Sequence, residues 1–443
     1  MTAVRSTILD ANAYEADPDE TTEAGSLIAR RRRLLGPAYR LFYEDPVRPV
    51  RGSGAHLYDV EGVEYLDVYN NVASVGHAHP RVAEAIAQQA ARLSTHTRYL
   101  SRPIVDYAED LLGTMPAAIA RLMLTCSGSE ANDLAVRMAR AATGGTGVII
   151  TEEAYHGNTD LVSGLSPALG SGSQIGPAVW TVPAPDTYRA DEDPGATFAA
   201  AVRVALSEMS AADIRPAALL VDTIFSSDGV YSDPPGFLAP AVDAVRAAGG
   251  VFIADEVQPG FGRTGSAFWG FARHGLTPDL VTMGKPMGNG YPVAAVAGTA
   301  EVLDVFAREV PYFNTFGGND VAIAAAQAVL DVIRDEGLQQ HAADVGAYFR
   351  SQLRTLATRH EAIGDVRGDG AFTGLELVAD RARKRPDGPL ATRTVNGLRA
   401  RRVLTSVCGP QGNVLKLRPP LPFTRADADR FVTELDAVLA RVS

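Results

Sequence analysis

Lysine is almost missing from this chain. Of its 41 basic residues only three are lysine, Lys285, Lys384 and Lys416, so arginine serves wherever positive charge alone suffices. A retained lysine is therefore a candidate for amine chemistry that a permanently charged guanidinium cannot perform. Lys384 lies in the charged run from Arg381 to Arg385 and reads as a surface cation, whereas Lys285 and Lys416 have glycine-rich or apolar surroundings. Cysteine is just as scarce. Cys126 and Cys408 are too few for a disulfide framework, and no Cys/His cluster has metal-ligand spacing, so neither a disulfide nor a metal is expected. Basic charge is also in deficit: 41 Lys and Arg against 52 Asp and Glu leave −11. That is a poor footprint for gripping phosphate backbones or anionic lipid, so nucleic acid and membranes are not expected partners. No run approaches the roughly 18 apolar residues of a membrane span. The amino-terminal stretch is polar and acidic, without the apolar core of a signal peptide, and a cytoplasmic protein is expected.

The 443 residues, 46% of them apolar, can bury a sizeable core and exclude disorder as the main state. Short apolar runs bounded by turn residues predict buried strands at 122–125, 147–151, 218–222, 250–255 and 280–283. Helical patterns lie between them, as at 130–142 and 238–248. Strand and helix alternating at this pace predict an α/β fold, a mostly parallel sheet covered on both faces, with ligand sites beyond the carboxyl ends of the strands. The ends of the chain read differently. A hairpin is expected around Glu61-Gly62, a long helix after Ala322, strands near 370–378, 403–407 and 414–417, and a closing helix capped by Thr424 and Asp427. The expected organisation is a large domain over 76–322 and a smaller α+β domain built from 1–75 and 323–443.

Three segments carry chemistry. Thr125-Cys-Ser-Gly-Ser-Glu-Ala-Asn-Asp133 follows a strand and opens a helix, whose positive end and small residues suit an anion such as phosphate. Gly250 to Gln258 ends a buried strand in Asp255, a carboxylate at the ligand edge that wants a cationic partner. Thirty residues beyond Asp255, Gly284-Lys285-Pro286 delivers an amine to the same rim on a tightly held loop. A phosphate cup, an acid for a pyridinium nitrogen and a lysine for a Schiff base are together what pyridoxal 5′-phosphate requires. The string Gly260-Phe-Gly262-Arg-Thr-Gly265 matches a dinucleotide fingerprint, but it does not follow directly on a strand end or open a clear helix.

The sequence resembles the class III aminotransferases, pyridoxal-phosphate enzymes of fold type I, over nearly its whole length. The resemblance rests on Gly76-His-Ala-His-Pro80, Ser127-Gly-Ser-Glu-Ala-Asn132, Tyr155-His-Gly157, Asp255-Glu-Val-Gln258, Gly284-Lys285 and Asn314-Thr-Phe-Gly-Gly318, in family order. It implies a large domain around a mostly parallel seven-stranded sheet and a small domain from both termini. It further implies that Lys285 bonds the cofactor and then moves protons at the substrate, and that Asp255 pairs with the pyridine nitrogen. Gly128 and Ser129 are implied as phosphate ligands, Tyr155 and Val257 as the two faces against the ring, Gln258 near the phenolic oxygen, and His156 as a packing or hydrogen-bonding neighbour. Thr315 is implied to reach a partner subunit's cofactor phosphate, in a homodimer with shared sites that could pair into a tetramer. Arg263 is read as a structural ion-pair partner.

Two departures narrow the expected function. Where many ω-amino-acid aminotransferases of the class carry a carboxylate-clamping arginine, this chain has Lys416, and at the position of its companion glutamate it has Ser227. The pattern instead resembles the branch with ethanolamine-phosphate and hydroxylysine-phosphate phospho-lyases and alanine–glyoxylate aminotransferase 2, through stretches such as Asn71-Val-Ala73, Asp365-Val-Arg-Gly368 and Lys416-Leu-Arg418-Pro-Pro. A phosphomonoester carries about two charges on three acceptor oxygens, which suits paired cations. The expectation is a small-molecule amine substrate whose anionic end meets Lys416 and Arg418, helped by Arg189, and elimination of phosphate from an amino-alcohol phosphate. The alternative is amino transfer to pyruvate, glyoxylate or another keto acid.

Overall fold

A computed structural model describes residues 8–14, 19, 21–170 and 172–442; the first seven residues of the expected small domain lie outside it. The expected buried runs are strands Ile119–Thr125, Gly147–Thr151, Pro216–Asp222, Val251–Asp255 and Leu280–Met283. With Val179–Val182 and Ala294–Thr299 they form one seven-stranded sheet. Ala294–Thr299 runs antiparallel to both its neighbours, Ile119–Thr125 and Leu280–Met283, and the remaining pairings are parallel.

The side-chain alternation of each strand sorts the core into two layers. Val148, Ile150, Leu220 and Ile253 pack under helix Gly128–Thr143 through its face Ala131, Leu134, Ala135, Met138 and Ala139. Ile149, Leu219, Val221, Phe252 and Ala254 point the other way, into a core shared with helices Pro194–Ala211, Ala239–Ala247 and Asp320–Asp335. Helix Gly128–Thr143 begins where Ser127 Oγ accepts the Glu130 N–H at 3.3 Å and stops at Gly144, left-handed at φ 63°.

A second core joins both ends of the chain: Tyr65 and Leu66, Phe349 and Leu353 of helix Leu338–Ala357, Leu375, Leu415, and Phe431 and Leu435 of helix Arg425–Val442. Its sheets are Pro49–Ser53, His56–Asp59, Glu64–Asp67 and Val403–Leu404, and, separately, Ile363–Asp369, Phe372–Asp380, Val414–Leu417 and Ser406–Cys408, with Arg385–Pro386 beside Phe372–Asp380. The expected strand at 403–407 is thus two. Val403–Leu404 pairs with Glu64–Asp67 and Ser406–Cys408 with Val414–Leu417, so the chain changes sheets at Thr405. No helix among the described residues is long and apolar enough to cross a membrane, and none of their acidic, His and Cys side chains cluster as a metal site would require.

Candidate active site

The parallel strands end together, at Thr151, Asp222, Asp255 and Met283, and the segments that follow them build one rim. Asp255 is its most tightly held group. Its Oδ2 accepts from Asn132 Nδ2 at 2.9 Å and meets His156 Nδ1 at 2.7 Å, while Oδ1 accepts the Val257 N–H at 3.1 Å. Asn132 is fixed in turn: it also donates to the His156 carbonyl at 2.8 Å and accepts from Thr282 Oγ1 at 2.6 Å. One helix and two adjacent strands therefore converge on a single buried carboxylate, with His156 as a hydrogen-bonding neighbour. Sequence reading quoted Asn132 within a motif without giving it this part, and Thr282 carried no signal beyond facing Asp255 in the strand register.

Beside this carboxylate three glycines bring backbone into close approach. A Cβ on Gly128 would stand 3.1 Å from both Val257 methyls, and one on Gly284 would stand 3.2 Å from Gly128 N. One on Gly157, where φ is 142°, would stand 2.5 Å from Ser129 Oγ. Backbone is thereby packed closely around the amino-terminal end of helix Gly128–Thr143, whose first-turn N–H groups suit an anion cup. Tyr155 is half-buried next to His156, and its burial pushes the phenol above its usual range. Lys285 follows Gly284 at the rim; burial, then the nearby Arg418 charge, push its amine down, with Asp255 and Asp222 pulling the other way. The carboxylate, the cup and the depressed amine fit pyridoxal phosphate. They would hold its ring nitrogen, its phosphate and its aldehyde carbon respectively, with Val257 and Tyr155 available to the ring. Thr315 is exposed, on a loop that Asn314 fixes by accepting the Gly317 N–H at 2.9 Å and donating to Glu130 Oε2 at 3.4 Å.

The opposite wall comes from the carboxyl-terminal part of the chain. Arg418 donates through one nitrogen to Asn71 Oδ1 at 3.1 Å and Gln258 Oε1 at 2.5 Å, and its guanidinium lies 4.5 Å from the Tyr69 ring centre. Gln258 Nε2 donates to Ser226 Oγ at 2.6 Å, and Lys416 Nζ reaches the same oxygen at 3.5 Å. Both cations are buried, at 7% and 5% exposure, and neither forms an ion pair among the described residues. Burial and Arg418 push the Lys416 amine down to about 7. Asp222, whose own titration burial and Asp255 push up, accepts the Ile224 and Ser226 N–H groups at 3.0 and 3.2 Å and so shapes the turn that presents Ser226. Asp222 and Ser226 were not singled out from sequence, and Asn71 stood there only within a shared stretch; the register of Asp222 with Asp255 was the available signal.

Arg189 does not behave as expected. Its guanidinium is engaged by Asp186 at 3.1 Å and by the fully buried Glu376, which also pairs with Arg367 at 2.7 Å. Two carboxylates consume its charge, so it backs the wall instead of offering a free cation. Arg263 likewise differs from its expected ion pair: it is buried and donates to the Ala371 and Pro419 carbonyls at 3.1 and 2.6 Å. The glycines of the dinucleotide-like string are packed over: Cβ atoms on Gly262 and Gly265 would meet Gln339 and Ala343 of helix Leu338–Ala357.

Comparison with known proteins finds relatives along most of the chain. The family profile described as aminotransferase class-III matches residues 43–439. An alanine–glyoxylate aminotransferase 2-like protein of Drosophila melanogaster is 44% identical over 91% of this chain and 85% of its own length. An ethanolamine-phosphate phospho-lyase homolog of Caenorhabditis elegans is 39% identical over 93% of each. Among solved structures, a phospholyase from Arthrobacter in complex with phosphoethanolamine is 44% identical, with a TM-score of 0.91 over 94% of this chain and all of that one.

Proposed function

This chain belongs to the class III aminotransferases, pyridoxal-phosphate-dependent enzymes, and from that premise we propose that it is a phospho-lyase that eliminates phosphate from a small amino-alcohol phosphate such as O-phosphoethanolamine. One observation carries the reading. Two buried cations, Lys416 and Arg418, stand without a carboxylate partner among the described residues, over neutral Ser226 and Gln258. A phosphomonoester, with about two charges and three acceptor oxygens, matches such a pair. Ser227, buried at the position where relatives with a carboxylate clamp hold a glutamate, leaves both charges free. The names of the Caenorhabditis and Arthrobacter relatives support the same chemistry.

With Asp255 holding its ring nitrogen, the cofactor would supply an electron sink for the amine-bearing carbon. The rest falls to this chain. Asp255, braced by Asn132 and His156, would hold the ring nitrogen. Lys285, its amine pushed down by burial and by Arg418, stands at the rim as the base that takes the proton from the amine-bearing carbon. Lys416 and Arg418 hold the phosphate on the next carbon, and the Arg418 contacts to Asn71 and Gln258 fix where that phosphate lies. Arg189, bound to Asp186 and Glu376, stiffens the wall behind them.

The test is to mix holoenzyme with O-phosphoethanolamine, without keto acid, and assay inorganic phosphate and acetaldehyde. Equal release of both is expected. Consumption of amine only when pyruvate or glyoxylate is supplied would make the enzyme a transaminase and Lys416 a carboxylate ligand. The working unit is a homodimer: Thr315 is exposed on a fixed loop beside exposed Phe313 and Phe316, and Leu100 is fully exposed, an apolar surface suited to a second copy. Sedimentation at micromolar concentration is expected to give twice the 46.8 kDa chain mass.

A further inference from the structure

We propose that Lys416, beyond holding the substrate's anionic end, donates the proton that the departing phosphate oxygen needs; the inference rests on the phospho-lyase reading above. Breaking the carbon–oxygen bond of a dianionic phosphomonoester leaves both bonding electrons on oxygen, and a third negative charge with them unless a proton arrives. An acid is therefore required at the leaving-group end, opposite the base Lys285.

The surroundings of Lys416 narrow the choice. The charged and titratable groups that act on it are Arg418 just beyond its own strand, Cys408 on the adjacent strand, Asp222 at the end of Pro216–Asp222, and Lys285. A guanidinium does not give up its proton. Cys408 is fully buried, its thiol pushed up to about 11, too weak an acid to serve at neutral pH. Asp222 spends both oxygens accepting the Ile224 and Ser226 N–H groups, and Lys285 is receiving the carbon's proton. Lys416 remains, 3.5 Å from Ser226 Oγ and tied to no carboxylate among the described residues. Its amine, pushed down to about 7, is drawn back toward the charged form by an arriving phosphate and is a ready donor once the ester breaks. The composition points the same way: arginine fills 38 of 41 basic positions, yet this one keeps an amine able to lose a proton.

The step balances. The C–H bond breaks toward Lys285, its electron pair becomes the new carbon–carbon π bond, and the C–O bond breaks with its pair on oxygen. The Lys416 N–H proton forms the new O–H bond, hydrogen phosphate leaves, and neutral Lys416 takes a proton back from water.

The test compares two leaving groups in the holoenzyme, O-phosphoethanolamine and O-sulfoethanolamine; sulfate departs without needing a proton. Lys416→Arg, which keeps charge but cannot donate, is expected to lower kcat for phosphate release by roughly 10²–10⁴-fold, the usual range of general acid catalysis. Its loss on the sulfate ester should be at least tenfold smaller, and it should still bind 2-aminoethylphosphonate by calorimetry. Equal losses on both esters, or none on either, would overturn the proposal. The wild type gives a reading that does not depend on the variant's folding. Its kcat for the phosphate ester should fall at high pH, as Lys416 loses its proton, relative to kcat for the sulfate ester; matching profiles overturn the proposal as well. A wild type that releases no phosphate at all sinks the phospho-lyase reading itself.

Discussion

Asn132 shows how much of the site hangs on single side chains that carry no charge. It donates to Asp255 and to the His156 carbonyl and accepts from Thr282, all in the buried floor. Asn132→Ala would leave a buried carbonyl and a buried hydroxyl unpaired, at a cost of about 1–3 kcal/mol each. Urea unfolding of the cofactor-free protein is expected to show a lower midpoint with an unchanged slope. Gly157→Ala should be worse than Gly128→Ala, because the first puts a Cβ 2.5 Å from Ser129 Oγ at φ 142° and the second only 3.1 Å from Val257 methyls that can move; their melting temperatures under one buffer decide it. Asp255 and Lys285 were legible from sequence because the first closes a buried strand and the second lies two residues past the end of the next, Met283. The partner that engages Arg189, Glu376, was not legible there because it lies 187 residues away.

Elements here are joined by local signals and by a few long-range pairs. Thr424 and Asp427 cap the last helix reciprocally, Thr424 N–H to Asp427 Oδ2 at 2.9 Å and Asp427 N–H to Thr424 Oγ1 at 3.2 Å, as the sequence spacing predicted. Thr424→Ala should cost about 1 kcal/mol, read as a lower unfolding temperature. Asp427 also binds His56 of strand His56–Asp59 at 3.2 Å. That bond is the main reason the imidazole titrates above its usual range; burial pushes Asp427 up, but the hydrogen bonds from His56 and Thr424 outweigh it and keep the carboxyl below its own. The sign follows for each partner. The raised histidine adds stability below its unfolded value near 6.5 and loses it as pH climbs through the folded value; the depressed aspartate loses its share only as pH falls through its folded value. The hairpin and the last helix are therefore held together most firmly in mildly acidic solution. Hydrogen exchange in 425–442, corrected for intrinsic rates, should rise between pH 6 and pH 8, and His56→Gln should abolish that difference. The split strand at Thr405 had no such local mark, since both halves read as one apolar run and only their partners differ.

At the scale of the molecule the catalytic floor belongs to one core and the anion wall to the other, with Arg418 and Asn71 meeting across 347 residues. An anion bound at the wall should hold the two together. At 100 times its dissociation constant, 2-aminoethylphosphonate should stabilise the holoenzyme by about 2.7 kcal/mol, and Arg418→Ala should remove most of the accompanying rise in melting temperature. By itself the amino-acid sequence determined the alternating α/β layers, the strand-end positions of Asp255 and Lys285, the cofactor class and the unusual Lys416. All of these follow from periodicity, turn residues and residue chemistry, which act over a few positions of chain. Only the tertiary structure decided which cations stay free. Whether Arg189, Arg263, Lys416 or Arg418 keeps its charge for a ligand depends on what the fold sets against it: two carboxylates beside Arg189, two carbonyls beside Arg263, and for Lys416 and Arg418, among the described residues, hydrogen bonds to neutral oxygens and no ion pair. Those partners come from distant stretches of the chain, and Coulomb energy depends on distance in space and on burial, neither of which is written in sequence order.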